Sequence, residues 1–264
     1  DRTGSHLLLG NGNGQFVQSP FPLANLGDGT RGLLGDGTRD SRLDLLLYSG
    51  DTIRYYFGDG DTTFSLADDP TGLGLGALDG YSKVDMQDVD ADGVLDLVAL
   101  DSQLGGQVWF GERDNTFTRS DAGEWVNATG HTDFVWIDAN RDGSLDIFAF
   151  GGPQNAFFLN NGQAQFVEFN LGQIASIGNA SVVVADMNGD GRDDLVVGDV
   201  NGTQIYDNGP AGFNISNIVL PQFGAVQAMQ AQDIDGDGDF DLIVGTGAGL
   251  RIIRSNLSQL NPDH

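Results

Sequence analysis

Five short apolar runs recur along the chain: LLLY at 45–48, LVAL at 97–100, IFAF at 147–150, LVV at 195–197 and LIV at 242–244. Each is apolar at nearly every position, the pattern of a strand buried on both faces. A half-alternating stretch and an acidic turn precede each run, as in VQAMQA at 226–231 before the turn at 233. A Gly- or Asn-rich turn and a phenylalanine-led strand follow, as in IRYYFGDGDTTF at 53–64 and again at 108–117, 157–166 and 205–213. One unit therefore predicts four short antiparallel strands.

The acidic turns share a spacing. The clearest has Asp233, Asp235, Asp237 and Asp241 at positions 1, 3, 5 and 9, with Gly238 at position 6. Asp88, Asp90, Asp92 and Asp96 repeat it, as do Asp138, Asn140, Asp142 and Asp146, and Asp186, Asn188, Asp190 and Asp194. A fainter copy has Asp36, Thr38, Asp40 and Asp44, with Ser41 in place of the glycine. Alternating oxygen ligands around a sharp bend suit a hard cation such as Ca²⁺. An EF-hand is excluded, because position 12 is Ala99, Ala149, Val197 or Val244 rather than a bidentate Glu. The ion would be held within nine residues, by side chains at positions 1, 3, 5 and 9. The backbone carbonyl at position 7 completes the set: Val94, Ser144, Arg192 and Asp239.

The turns begin at 36, 88, 138, 186 and 233, at intervals of 52, 50, 48 and 47 residues, which is the signature of a repeat architecture. The pattern D-x-D/N-x-D-G-x-x-D-L at this period resembles the FG-GAP/VCBS repeats of integrin-α-like β-propellers, over nearly the whole chain. The resemblance implies an all-β propeller of four-stranded antiparallel blades, five of them, in one domain over residues 1–264. It also implies four to five Ca²⁺ ions, each between the first two strands of a blade. The Asp36 copy departs from the pattern at Thr38 and Ser41.

Strand counting adds a detail. HLLLGNGNGQF at 6–16 has the form of a third strand, turn and fourth strand, and LRIIRSN at 250–256 has that of a further third strand. The N-terminal strands at 6–24 are expected to complete the last blade or to pair with a neighbour.

Net charge is −26, and 17 aspartates occupy ligand positions in the turns. Ten positive charges from five Ca²⁺ would still leave −16, so nucleic acid and anionic membrane are poor partners. There is no Cys, and no apolar run is long enough to span a membrane. Weak oxygen sites fill at millimolar Ca²⁺, which favours an extracellular, secreted or cell-surface setting.

Catalytic signals are poor. The histidines are His6, His131 and His264, and no H-E-x-x-H or G-x-S-x-G is present. Glu112, Glu124 and Glu168 could pair for glycoside hydrolysis but read as surface acids. Gly27, Gly29 and Gly32 match G-x-G-x-x-G without the strand and helix that a nucleotide site needs, and Asp28 would repel a phosphate. Asn-x-Ser/Thr sequons start at Asn127, Asn179, Asn201, Asn214 and Asn256. Trp125, in a connecting stretch, is a weak candidate for stacking on a sugar or anchoring a protein, against packing beneath its loop. The expected function is a non-enzymatic, calcium-stabilised extracellular binding or assembly module, and the family resemblance implies adhesion with a protein or glycan ligand. Alternatives are a self-assembling filament or lattice subunit, a lectin, and the non-catalytic scaffold of a secreted hydrolase or lyase.

Overall fold

The apolar runs form the second strands of five antiparallel sheets. In the computed structural model, the described residues are 6–27, 30–49, 52–61, 63–67, 73–75, 80–120, 122–170, 174, 177–178, 180–222 and 224–255. Asp28 and Gly29 of the glycine motif, the sequon residues Asn179 and Asn256, and His264 lie outside them.

The chain divides into two compact units, one of Asp1–Asp101 with Gly106–Ala122, the other of Ser102–Gly105 with Gly123–His264. The first unit begins with a hairpin of β1 (Leu8–Gly10) and β2 (Phe16–Gln18). Its first sheet is β3 (Arg31–Gly35), β4 (Asp44–Ser49), β5 (Thr52–Gly58) and β6 (Phe64–Leu66). Its second is β7 (Lys83–Gln87), β8 (Asp96–Asp101), β9 (Gly105–Gly111) and β10 (Phe117–Arg119). The second unit holds a third sheet of β11 (Asp133–Ile137), β12 (Asp146–Phe150), β13 (Ala156–Asn160) and β14 (Phe166–Phe169). A fourth has β15 (Ser181–Ala185), β16 (Asp194–Asp199), β17 (Gly202–Gly209) and β18 (Gly212–Ile215). The fifth has three described strands, β19 (Val226–Gln232), β20 (Asp241–Thr246) and β21 (Gly249–Ile253). Each sheet is a meander in chain order, because tight turns join only antiparallel neighbours.

Successive residues of a second strand point to opposite faces, so each strand feeds two cores. In the first unit, Leu46 and Tyr55 of the first sheet pack with Leu97 and Trp109 of the second. The other face of the first sheet, Leu45, Leu47 and Tyr56, is met by Phe21, Leu23 and Leu26 of the segment before β3. In the second unit, Phe148 and Phe157 of the third sheet pack on Leu195, Val197 and Phe213 of the fourth. Val196 and Ile205 on the fourth sheet's other face pack on Val226, Leu242 and Val244 of the fifth. Each such side chain contributes roughly 1.5–3 kcal/mol by burial.

The structure corrects the reading of Trp125 as an exposed ligand platform. It lies in a one-turn 3-10 helix, Glu124–Asn127, and is fully buried. Its ring meets Phe134 and Phe158 edge-on at centroid distances of 5.5 and 5.2 Å. An indole sunk among aromatic edges cannot present its face to a ligand, so Trp125 packs beneath its loop. The Glu124 carboxylate accepts the backbone N–H of Glu168 at 2.7 Å.

Candidate metal centre

Every acidic turn joins the first strand of a sheet to the second, where the apolar pattern placed it. The turns are built from their own side chains. The position 1 carboxylate accepts the N–H of position 6: Gly93 to Asp88 at 2.9 Å, Gly143 to Asp138 at 3.1 Å, Gly191 to Asp186 at 2.8 Å, Gly238 to Asp233 at 3.1 Å. In the Asp36 turn, Ser41 takes that place at 2.9 Å and adopts φ 66°. Position 5 in turn accepts the N–H of position 7, from Val94, Ser144, Arg192 and Asp239. Position 6 is left-handed in all five turns, and so is position 4, as at Arg39, Ala91 and Arg141. The glycine at position 6 announced one bend; the other is marked by a glycine only at Gly189 and Gly236, and falls on Arg39, Ala91 and Arg141 in the remaining turns.

Position 9 has a role that spacing alone did not reveal. Asp44, Asp96, Asp146, Asp194 and Asp241 are buried to 1 % exposure or less. One oxygen of each accepts an N–H near the start of the turn: Thr38, Val89, Ala139, Met187 and Ile234 at 2.9–3.1 Å. The other accepts an N–H at or just beyond the end of the third strand: Gly58, Gly111, Asn160, Asn208 and Ser255 at 2.7–2.9 Å. This aspartate thus clamps strands one, two and three together. A signal did exist in the sequence, namely a Gly, Asn or Ser recurring 14 or 15 residues after each position 9.

The donor set fits a hard divalent cation. Oxygens of Asp88, Asp90 and Asp96 lie within 4.8 Å of one another, as do those of Asp233, Asp235 and Asp237. Positions 1, 3 and 9 converge in one turn and positions 1, 3 and 5 in the other. Asp88 Oδ1 is buried without a hydrogen-bond partner, and so is Thr38 Oγ1 at position 3 of the Asp36 turn. A buried oxygen with an unused lone pair costs about 1–3 kcal/mol, which a coordinated cation would relieve. Only oxygen donors are offered, the preference of Ca²⁺ or Mg²⁺ rather than of a soft metal. Asn140 and Asn188 serve the same backbone as their aspartate counterparts, accepting the N–H of Asp142 and Asp190 at 2.9 Å. The nearby guanidinium groups, Arg254 to Asp235 at 3.0 Å and Arg42 to Asp40 at 3.5 Å, are largely exposed and contribute little.

Burial raises the Asp96 carboxyl to about 7, and the Asp146 and Asp194 carboxyls to about 6, with neighbouring carboxylates adding and the backbone donors opposing. A carboxyl with a raised folded value binds more protons folded than unfolded. Its stabilisation is therefore full below about pH 4 and lost as pH rises through 6 to 7. The metal-free protein is expected to melt at progressively lower temperature between pH 4 and pH 7. Thermal scans in chelator check this; a melting temperature that climbs over that window would contradict neutral carboxyls in the fold.

A second feature was not foreseen. In the second unit a cavity of about 510 Å³ is lined by Thr132, Asp133, Gly151, Ala180, Val200 and Gln227, among others. These residues cluster where β11, β15 and β19 begin, at the opposite ends of those strands from the acidic turns.

Comparison with known proteins places these features. The FG-GAP-like repeat family matches at residues 88–149, 138–197 and 186–244, more than half of the chain. No curated relative matches in sequence. Among solved structures, one described as the structural basis of specific recognition of non-reducing terminal N-acetylglucosamine by an Agrocybe aegerita lectin is 22 % identical, with a TM-score of 0.65. The similarity covers 92 % of this chain and 69 % of that one. The Photorhabdus luminescens Tc holotoxin pore is 18 % identical with a TM-score of 0.55, over 96 % of this chain but 12 % of that one. Among the described residues, no helix is long and apolar enough to cross a membrane. With the acidic hairpin repeated five times and three overlapping matches running through the turns that begin at 88, 138, 186 and 233, this chain belongs to the FG-GAP-like repeat family, and its four-stranded sheets are blades of the β-propeller type.

Proposed function

We propose that the chain is a non-enzymatic, calcium-stabilised binding module that works outside the cytosol. The observation that carries this reading is the acidic turn itself. Oxygens of positions 1, 3 and 9 converge in the Asp88 turn and those of positions 1, 3 and 5 in the Asp233 turn, and Asp88 leaves one buried oxygen unpartnered. Calcium bound there supplies charge neutralisation and ties the first two strands of a blade together. Millimolar calcium outside the cell fills sites of this class. The donors that would face the ion come from one turn with its own strand, an arrangement suited to structure.

For the ligand, glycan is the favoured class. Two observations support it: the similarity in fold to a structure described as recognising terminal N-acetylglucosamine, and the cavity of about 510 Å³. That volume is in the range of small-ligand sites, roughly 300–1,000 Å³. Thr132, Asp133 and Gln227 provide hydroxyl, carboxylate and amide groups of the kinds that bind sugar hydroxyls. A glycan array probed in millimolar calcium tests the reading. Binding to terminal sugars is expected, with Gln227→Ala weakening it at least about tenfold, or 1.4 kcal/mol. An array without a hit would remove the glycan and leave a protein ligand.

A further inference from the structure

The fifth sheet carries an apolar face that its sister sheets bury. The residue eleven positions after the clamping aspartate is Tyr55 in the first sheet, Phe157 in the third, Ile205 in the fourth and Ile252 in the fifth. Tyr55, Phe157 and Ile205 are 2 %, 4 % and 1 % exposed, whereas Ile252 is 55 % exposed. Leu250, on the same face of β21, is 67 % exposed, while its counterpart Ile53 is 5 % exposed. In each buried case the following sheet covers the site. Tyr55 meets Phe117 edge-on at 6.1 Å, Phe157 stacks on Phe213 at 4.9 Å, and Ile205 packs on Val226, Leu242 and Val244.

The chain also carries the matching half. The β1–β2 hairpin sets Phe16 opposite Gly10. The third and fourth strands of the sheets pair in the same way: Phe64 opposite Gly58, Phe117 opposite Gly111, Phe166 opposite Asn160, Phe213 opposite Asn208. The hairpin is therefore the outer half of a blade. Phe117 and Phe213, the counterparts of Phe16, are the residues that cover Tyr55 and Phe157 in the preceding sheet. Phe16 itself is 69 % exposed, with Val17 at 63 % and Leu8 at 58 %. The fifth sheet thus keeps an uncovered face of the type that such a phenylalanine covers, and the hairpin keeps an uncovered phenylalanine.

We infer that copies of this chain associate head to tail, the β1–β2 hairpin of one copy packing Phe16 on Ile252 and Leu250 of the next. The contact joins two different patches, so it propagates into a ring or an open filament rather than stopping at a two-fold dimer. With −26 on each copy, repulsion opposes approach, and bound calcium and salt both reduce it. Association is therefore expected to strengthen with millimolar calcium and with ionic strength.

Sedimentation velocity of residues 1–264 from about 1 to 100 μM, in calcium, is the test, with electron microscopy of the same samples. Species larger than a dimer that grow with concentration are expected. Phe16→Asp and Ile252→Asp should each sediment as a monomer, with circular dichroism and melting temperature showing that they fold. Mixed, the two variants should form dimers and nothing larger, because each keeps one working end. Leu250→Lys serves if Ile252→Asp fails to fold. A wild-type monomer at 100 μM, or variants that assemble like the wild type, overturns the inference. So does a mixture that stays monomeric.

Discussion

Removing calcium is expected to lower the melting temperature by about 13 °C. With a dissociation constant near 10⁻⁴ M and 1 mM free calcium, each site contributes about 1.4 kcal/mol. Five sites would contribute about 7 kcal/mol, comparable with the entire net stability of a domain. Unfolding entropy for a chain of this length is roughly 0.55 kcal/mol/K, which converts that energy to the stated shift. The physical source is the 17 aspartates held in five turns: without a cation, carboxylates about 4 Å apart repel by about 1 to 4 kcal/mol per pair. Calorimetric scans with calcium and with chelator make the comparison, and magnesium at the same concentration tests selectivity. An unchanged transition in chelator would exclude a structural ion.

Truncating a position 9 aspartate is expected to be the most damaging single substitution in a turn. In Asp146→Ala the N–H groups of Ala139 and Asn160, bonded to the carboxylate at 3.0 and 2.7 Å, lose their acceptors in a buried setting. At pH 8, where this carboxyl with its value of about 6 is ionised, hydrogen bonds to the charged group contribute about 1.5–3 kcal/mol each, so the loss is about 3–6 kcal/mol, or about 5–11 °C in melting temperature. Asp146→Asn keeps the shape and an acceptor and should lose less. Asp61→Ala, at an exposed hairpin tip, should leave the transition where it is. The experiment is run in chelator so that loss of an ion does not contribute. An Asp146→Ala protein that melts with the wild type there would show that the clamp adds nothing.

Calcium removal and the truncation of Asp146 probe layers that differ in how far they can be read from sequence. The second strands were legible because burial on both faces leaves an uninterrupted apolar run, and β4, β8, β12, β16 and β20 coincide with the five runs. The acidic turns were legible because their oxygen-bearing residues recur at fixed local spacing. Trp125 was ambiguous for the opposite reason: its surroundings, Phe134, Phe158 and Phe166, come from later in the chain. The position 9 clamp was half legible, since the aspartate is visible in the motif while its partner is an anonymous backbone N–H some 14 residues away.

By itself the sequence determined the repeat, its period, the four-strand unit and the oxygen-only character of the turns. Each strand and each turn depends on residues within a dozen positions of each other, where pattern and stereochemistry act directly, and the period is the recurrence of those local patterns. Tertiary structure alone decided which acids are buried, where the cavity opens, and that Ile252 is exposed while its counterparts are covered. Those outcomes depend on which sheet lies against which face, and dehydration of a side chain is a property of its neighbours in space.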